Sequence, residues 1–94
     1  IGIESARALV YSAAKHIQAH PKDMSKASAM CKTYATDVAM KVSTDAVQVM
    51  GGYGYMCEYP AEKMMRDAKI LQIYEGTNQI QRNVIGQELN KEYS

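Results

Sequence analysis

The sequence of 94 residues has no tryptophan, no phenylalanine, only two prolines and two cysteines, and no excess of one charge. Cys31 and Cys57 are too few for a disulfide framework and lack metal-site spacing, so we expect a reducing compartment. No apolar run approaches the roughly 20 residues that span a bilayer. The eleven basic residues are scattered among ten acidic ones, which excludes the clustered positive charge of a nucleic-acid-binding surface.

What the sequence does contain is apolar residues at helical spacing, and no segment alternates with the period of a strand. A first stripe covers residues 3–17 and stops before His20-Pro21, because the residue before a proline avoids the α region. A second stripe holds its period over residues 27–50, and glycine at position 51 ends it. The first half of the chain is therefore predicted to be two helices.

The long second helix is predicted to be capped by Asp23 or Ser25, whose oxygens can accept from free N–H groups. Its polar side carries Lys32, Lys41 and Asp45, opposite the apolar stripe.

The second half predicts two shorter helices. Residues 53–59 are interpreted as a loop, and Pro60 suits the first position of a third helix. Thr77 can cap a fourth helix, and residues 90–94 are predicted to fray. The prediction is thus an all-α single domain over residues 1–94, an up-and-down antiparallel bundle of four helices.

Glu75 is the most interesting carboxylate, because it follows the apolar Ile73-Tyr74 and precedes Gly76 at a helix break. A carboxylate that loses solvation beside apolar groups becomes a better general base near neutral pH. Gly76 leaves room for a ligand near the backbone. The ordinary alternative is a solvated loop residue near a helix N-terminus.

Other candidate sites are weaker when each is considered alone. Gly51, Gly52 and Gly54 lack the spacing of a dinucleotide fingerprint and are typical of a helix stop. His16 and His20 share a helical face, a spacing that can bind metal, but no third ligand is nearby. No metal site is predicted. The alternative of a metal-binding bundle is excluded if added zinc leaves the melting temperature unchanged, because a ligand that binds only the folded state must stabilise it.

Three stretches together resemble one family, the acyl-CoA dehydrogenases. Residues 48–55, Gln-Val-Met-Gly-Gly-Tyr-Gly-Tyr, resemble the glycine-containing segment that contacts FAD. Residues 58–70, with Glu-Tyr-Pro and Met-Arg-Asp-Ala-Lys-Ile, resemble the next helix of that family. Residues 73–82, with Ile-Tyr-Glu-Gly-Thr, resemble the segment that holds the catalytic base. The resemblance covers nearly the whole chain.

The resemblance implies a C-terminal helical bundle that lacks its first helix and belongs to a longer flavoprotein, homotetrameric or dimeric. It implies α,β-dehydrogenation of an acyl-CoA thioester to the trans-2-enoyl-CoA, with FAD taking the β-hydride and an electron-transferring flavoprotein as the next acceptor. The chain by itself is expected to be inactive, and the missing helix is expected to leave an apolar groove.

The family resemblance also implies site residues. Glu75 matches the base that removes the α-proton, and its backbone N–H would help to polarise the thioester carbonyl. Substrate contacts match Tyr74 and Gly76. Cofactor contacts match Gln48, Val49, Met50, Gly51 and Gly52, which would reach the FAD of an adjacent subunit, and Thr77, Asn78 and Gln79.

Two interpretations stay open. The first is the base-bearing domain of a flavoenzyme, located in the mitochondrial matrix of a eukaryote or the cytoplasm of a bacterium. The second is a four-helix interaction module, derived from such a domain and without catalysis. An intact Glu75 favours the first, since a scaffold has no need of that carboxylate.

Overall fold

The backbone is folded entirely into helices and turns, in a computed structural model that describes residues 1–94. A single 3-10 turn over Pro21–Asp23 separates the first two α-helices. The all-α prediction is confirmed, with one more short helix than the four expected. The helices are Gly2–Ala19 (α1), Met24–Met50 (α2), Gly52–Tyr55 (α3), Ala61–Leu71 (α4) and Asn78–Glu92 (α5).

The main helix ends lie where local signals predict them. α1 stops at Ala19, immediately before His20-Pro21. α2 ends at Gly51, whose φ of 64° is a left-handed value that glycine adopts without strain. The Thr77 hydroxyl accepts the N–H of Ile80 at 3.2 Å and caps α5 as predicted.

Other local predictions were wrong in detail. Asp23 precedes α2 without capping it, because its carboxylate binds the His16 ring at 2.6 Å instead. Pro60 lies one residue before the first helical position. The segment interpreted as a loop begins with the helical turn α3, and α5 extends through the predicted frayed tail to Glu92.

The central element is α2, which contacts α1, α3, α4 and α5, whereas α1, α4 and α5 do not contact one another. The long helices on either side run antiparallel to it. Cys31 on α2 donates to the Leu9 carbonyl of α1, Gln72 at the end of α4 reaches Asp37, and Lys26 pairs with Glu92 near the end of α5. α4 and α5 therefore follow one another along α2.

The interior is thin and is built from small side chains. Only seven residues are buried, four of them alanines, and no large side chain is fully buried. An apolar cavity of about 420 Å³ opens between α1, α2 and α4, so the apolar groove predicted from the sequence is present. None of the helices is long and apolar enough to cross a membrane. Cavity-lining residues include Ile3, Val38, Val42, Ala46, Met50 and Met64.

Gly54 is expected to tolerate no side chain, because a Cβ there would lie 2.5 Å from the Val47 carbonyl oxygen and 2.9 Å from the Met50 Cβ. We expect Gly54→Ala to lower the free energy of unfolding by about 1 to 3 kcal/mol through overpacking. The matched control is Gly52→Ala, where a Cβ meets nothing within 4 Å and the change stays within about 0.5 kcal/mol. Urea denaturation of the two variants tests this, and equal stabilities would contradict it.

Candidate functional site

The site is built around the turn that joins α4 to α5, residues 72–77. Two consecutive residues there have left-handed backbones, Glu75 with φ of 53° and Gly76 with φ of 85°. Glycine adopts this region freely, whereas a glutamate seldom does. A non-glycine residue in that region costs on the order of 1 kcal/mol or more and persists only where its surroundings hold it. Glu75 is therefore held in a conformation that it does not itself favour.

The turn presents three free backbone donors. The N–H groups of Glu75, Gly76 and Thr77 donate no hydrogen bond within the chain, in contrast to Tyr74, which donates to the Ile70 carbonyl at 3.0 Å. Consecutive unpaired N–H groups form a concave donor set that suits a developing negative charge on oxygen. The turn can therefore bind an oxygen atom of a ligand through its backbone.

The side chains around Glu75 are open to solvent. Glu75 is exposed, and Ile73 and Tyr74 are each 49% exposed. The sequence-based argument relied on desolvation of this carboxylate, and the chain alone does not desolvate it. Any desolvation must come from a ligand or from protein outside residues 1–94.

Two side chains hold the carbonyl groups of the turn. Gln81 Nε2 on α5 donates to the Glu75 carbonyl at 2.9 Å, and Lys32 Nζ on α2 donates to the Gly76 carbonyl at the same distance. Lys32 also donates to Asn78 Oδ1 at 2.5 Å. Although the sequence places Lys32 opposite the apolar stripe of α2, its long side chain is half-buried against the turn.

Asn78 is the buried centre of the polar contacts between α2 and α5, with only 2% of its surface exposed. Its Nδ2 donates to Asp37 Oδ1 at 2.7 Å and to Thr36 Oγ1 at 2.8 Å. Its backbone N–H donates to the Gln72 carbonyl at 3.0 Å and so closes the turn. These bonds assign Asn78 to holding the turn, because its side-chain groups and N–H already have partners inside the chain.

Asp37 connects α2 to both ends of the turn. It accepts from Gln72 at 2.9 Å at the end of α4 and from Arg82 at 2.7 Å on α5, in addition to Asn78. Burial by itself raises the pKa of Asp37, but the hydrogen bonds donated by Asn78, Gln72 and Arg82 outweigh it and hold the pKa below its ordinary value of 3.8. The carboxylate is therefore charged whenever the chain is folded near neutral pH.

This lowered pKa predicts a pH-dependent stability. A carboxylate whose pKa is lower when folded contributes stability above its unfolded pKa, and this is lost as the pH falls through the folded pKa. The difference in stability between wild type and Asp37→Asn is expected to be largest above about pH 5 and to shrink below about pH 3. Urea midpoints across this range test it. The control Asp45→Asn removes only an exposed ion pair with Lys41 and should follow wild type at all pH values.

A polar cavity of about 390 Å³ adjoins the turn. Thr77 and Gln79 line it at the first residues of the 15-residue α5, together with the cations of Lys69 and Arg82. The N–H of Gln79 has no partner in the chain, and a helix N-terminus favours negative charge. The Asp37 carboxylate also lines this cavity and pairs with Arg82, so the cavity is suited to the polar parts of a ligand, with Lys69 as the cation that has no acidic partner.

The glycine-containing segment lies elsewhere. Residues 48–52 form the exposed end of α2 and the start of α3, and Val49 is 86% exposed. From Asp37, beside the turn, to Gln48 the helix axis runs roughly 16 Å at 1.5 Å per residue. The structure therefore does not bring the two predicted cofactor segments together within one chain.

The histidines of α1 do not extend the site. The rings of His16 and His20 lie 4.7 Å apart, and His16 pairs with Asp23. No group of three or more His, Cys, Asp or Glu side chains is placed to hold a metal ion. His16 and Asp23 line a small cavity between α1 and α2, away from the turn that carries Glu75.

The sequence argument missed the residues that hold the turn, chiefly Lys32, Asp37, Gln72, Gln81 and Arg82. The only available signal was a polar residue at 37 within the apolar stripe of α2. Nothing local shows that positions 32 and 37 meet residues more than 30 positions away.

Comparisons with known proteins agree on one family. The family model described as "Acyl-CoA dehydrogenase, C-terminal domain" matches residues 1–90. Cyclohexane-1-carbonyl-CoA dehydrogenase of Geobacter metallireducens is 54% identical over 90 residues, 96% of this chain and 23% of that protein. A probable acyl-CoA dehydrogenase of Mycobacterium bovis, fadE25, is 55% identical over 87 residues, 93% of this chain and 22% of that protein.

Solved structures show the same likeness. Butyryl-CoA dehydrogenase from Megasphaera elsdenii matches with a TM-score of 0.86 and 53% identity over 94% of this chain and 23% of that one. A chain in a structural study of the electron transferring flavoprotein of Acidaminococcus fermentans matches with a TM-score of 0.86 and 58% identity, over 94% of this chain and 23% of that one. The present chain thus spans about a quarter of the length of these relatives.

Proposed function

Because this chain belongs to the acyl-CoA dehydrogenase family, as its C-terminal helical domain, we propose that Glu75 is the base that removes the α-proton of an acyl-CoA thioester. The whole protein would oxidise the thioester to the trans-2-enoyl-CoA. The observation that carries the proposal is the left-handed turn, which combines an exposed carboxylate with free backbone donors.

The turn can perform both tasks that proton removal requires. The Cα–H bond breaks and its proton passes to the Glu75 carboxylate. The electrons then shift toward the thioester carbonyl oxygen, which the free N–H of Glu75 can stabilise by a hydrogen bond. FAD, when bound, supplies the acceptor for the hydride that leaves the β-carbon. Base and oxyanion donor belong to one residue, so the backbone of Glu75 must be held accurately.

The residues present suit a flavin nucleotide. We assign contacts with its polar groups to Thr77 and Gln79, which line the polar cavity at the start of α5, while Asn78 supports them from the interior. The exposed residues at the end of α2, Gln48, Val49, Met50, Gly51 and Gly52, would contact the FAD of an adjacent subunit, as the resemblance to the family implies. A homotetramer is the form that we propose on the same ground.

Tyr74 and Gly76 are proposed to contact the substrate. Tyr74 is half-exposed beside the carboxylate. A side chain at Gly76 would meet Gln81 Nε2 at 2.9 Å and would occupy the space next to the base. An apolar acyl chain against Ile73 and Tyr74 would also remove water from Glu75 and so strengthen it as a base.

The electron-transferring flavoprotein remains the proposed acceptor of electrons. The likeness to a chain from a structural study of such a flavoprotein supports this proposal. We propose that the whole protein is located in the mitochondrial matrix if it comes from a eukaryote, and in the cytoplasm if it comes from a bacterium.

The second candidate function is a non-catalytic interaction module. The apolar cavity and the many exposed apolar side chains favour burial of this domain against further protein, which either function would provide. Colour separates the two, because a full-length enzyme is yellow with bound FAD, whereas a scaffold purifies without colour.

The test uses the full-length, FAD-loaded protein under anaerobic conditions, with a panel of saturated acyl-CoA thioesters. Flavin bleaching is expected with thioesters that carry an α-proton, and the fastest one identifies the preferred acyl chain. The matched control is 2,2-dimethylpropanoyl-CoA, which has β-hydrogens but no α-proton and should not bleach the flavin. The proposal would be contradicted if the control bleached the flavin, or if every thioester of the panel failed to bleach it.

A further inference from the structure

We infer that Lys32 is a positioning residue for the Glu75 turn, acting from α2 on the backbone that carries the base. The inference rests on the proposed function, since it concerns how accurately that base is held. It is carried by the two hydrogen bonds of the Lys32 ammonium, at 2.9 Å to the Gly76 carbonyl and 2.5 Å to Asn78 Oδ1.

The ammonium group of Lys32 has no acidic partner. Eight ion pairs join lysine, arginine or histidine to acidic residues in this chain, and Lys32 belongs to none of them. Its charge is directed at two neutral oxygens, and hydrogen bonds with an ionised donor are roughly twice as strong as neutral ones. The lysine is therefore committed to the turn rather than to a surface pair.

The turn has few other attachments. The Gly76 carbonyl accepts only from Lys32, and the Glu75 carbonyl accepts only from Gln81. Gln81 lies on α5, directly after the turn, and moves with it. Lys32 alone ties the backbone of the two left-handed residues to the central helix. Without it, α2 holds the turn only at its two ends, through Asp37, and no bond from α2 opposes the relaxation of Glu75 out of its unfavourable conformation.

Loss of the Lys32 hydrogen bonds is expected to slow the chemical step. Without them the carboxylate and the N–H of Glu75 depart from the geometry that the reaction needs, and misplacement by about 1 Å can cost about 100-fold in rate. Lys32 itself has no place in binding the thioester. We therefore expect kcat to fall about 10- to 100-fold, with a much smaller change in KM for the acyl-CoA.

The experiment compares Lys32→Met with Lys41→Met in the full-length, FAD-loaded protein. Methionine keeps the apolar stem and removes the donors. Lys41 lies on the same helix, with 78% of its side chain exposed, and serves as the matched control. Lys32→Met is expected to show the fall in kcat with normal FAD content, while Lys41→Met matches wild type.

A second measurement needs no turnover. The Asn78 N–H, which closes the turn on the Gln72 carbonyl, is followed by hydrogen exchange in the FAD-free full-length protein. Exchange of the Asn78 N–H should be at least about tenfold faster in Lys32→Met, with the middle of α2 unchanged. A uniform rise in exchange along α2 and α5, with a matching fall in melting temperature, would instead indicate general destabilisation and overturn the inference.

The variant Glu75→Gln, tested by anaerobic flavin bleaching of the full-length protein, separates this inference from the proposed function. If Glu75→Gln bleaches at the wild-type rate, the proposed function fails whatever Lys32 does. If Glu75→Gln fails to bleach the flavin while Lys32→Met matches wild type in kcat and in hydrogen exchange, the inference about Lys32 is overturned and the proposed function stands.

Discussion

Replacing Glu75 by glutamine is expected to slow flavin reduction by an acyl-CoA by about 10²- to 10⁴-fold, the range over which a positioned general base contributes. Glutamine keeps the length and shape of the side chain and leaves the backbone N–H in place, but it cannot accept the α-proton. Anaerobic single-turnover bleaching of the full-length protein measures the effect directly, since it excludes later electron transfer.

The control for this prediction is Glu58→Gln. Glu58 is an exposed glutamate outside the long helices and outside every ion pair of the chain. Its variant should bleach like wild type. FAD content and binding of the thioester should be equal in all three proteins. If Glu75→Gln bleached as fast as Glu58→Gln, the base would have to lie elsewhere, although membership of the family would stand.

The second large effect is expected on stability, from Asn78→Ala. This change removes the donor to Asp37 and Thr36 and the acceptor for Lys32, so that three part-buried groups each lose one hydrogen bond. A neutral hydrogen bond contributes about 0.5 to 1.5 kcal/mol, and one with a charged group about 1.5 to 3 kcal/mol. We expect the free energy of unfolding to fall by about 2 to 4 kcal/mol.

The matched control is Asn83→Ala, an exposed asparagine on the same helix, whose replacement should change stability by no more than about 0.5 kcal/mol. Urea denaturation of the 94-residue chain compares the two. Equal effects at positions 78 and 83 would show that the network contributes no net stability, and the turn would then need another explanation for its conformation.

Local predictions succeeded wherever one residue and its near neighbours decide the outcome. A proline ends α1, a glycine ends α2, and a threonine hydroxyl caps α5, because each acts on backbone groups within four residues. The helical turn at 52–55 was missed because glycine has a low helical propensity. Gly54 lies against the end of α2, where a Cβ would be 2.5 Å from the Val47 carbonyl oxygen, so only glycine fits there.

The sequence by itself determined the four longer helices, the ends of α1 and α2, the cap of α5 and the position of Glu75, because apolar periodicity, stop signals and family resemblance are all properties of the order of residues. Only the tertiary structure decided how Glu75 is presented. Its left-handed backbone, its free N–H and its support by Lys32 and Asp37 depend on α2 meeting a turn more than 30 residues away. Such contacts leave no periodic signal, since each involves single side chains brought together by packing of the helices.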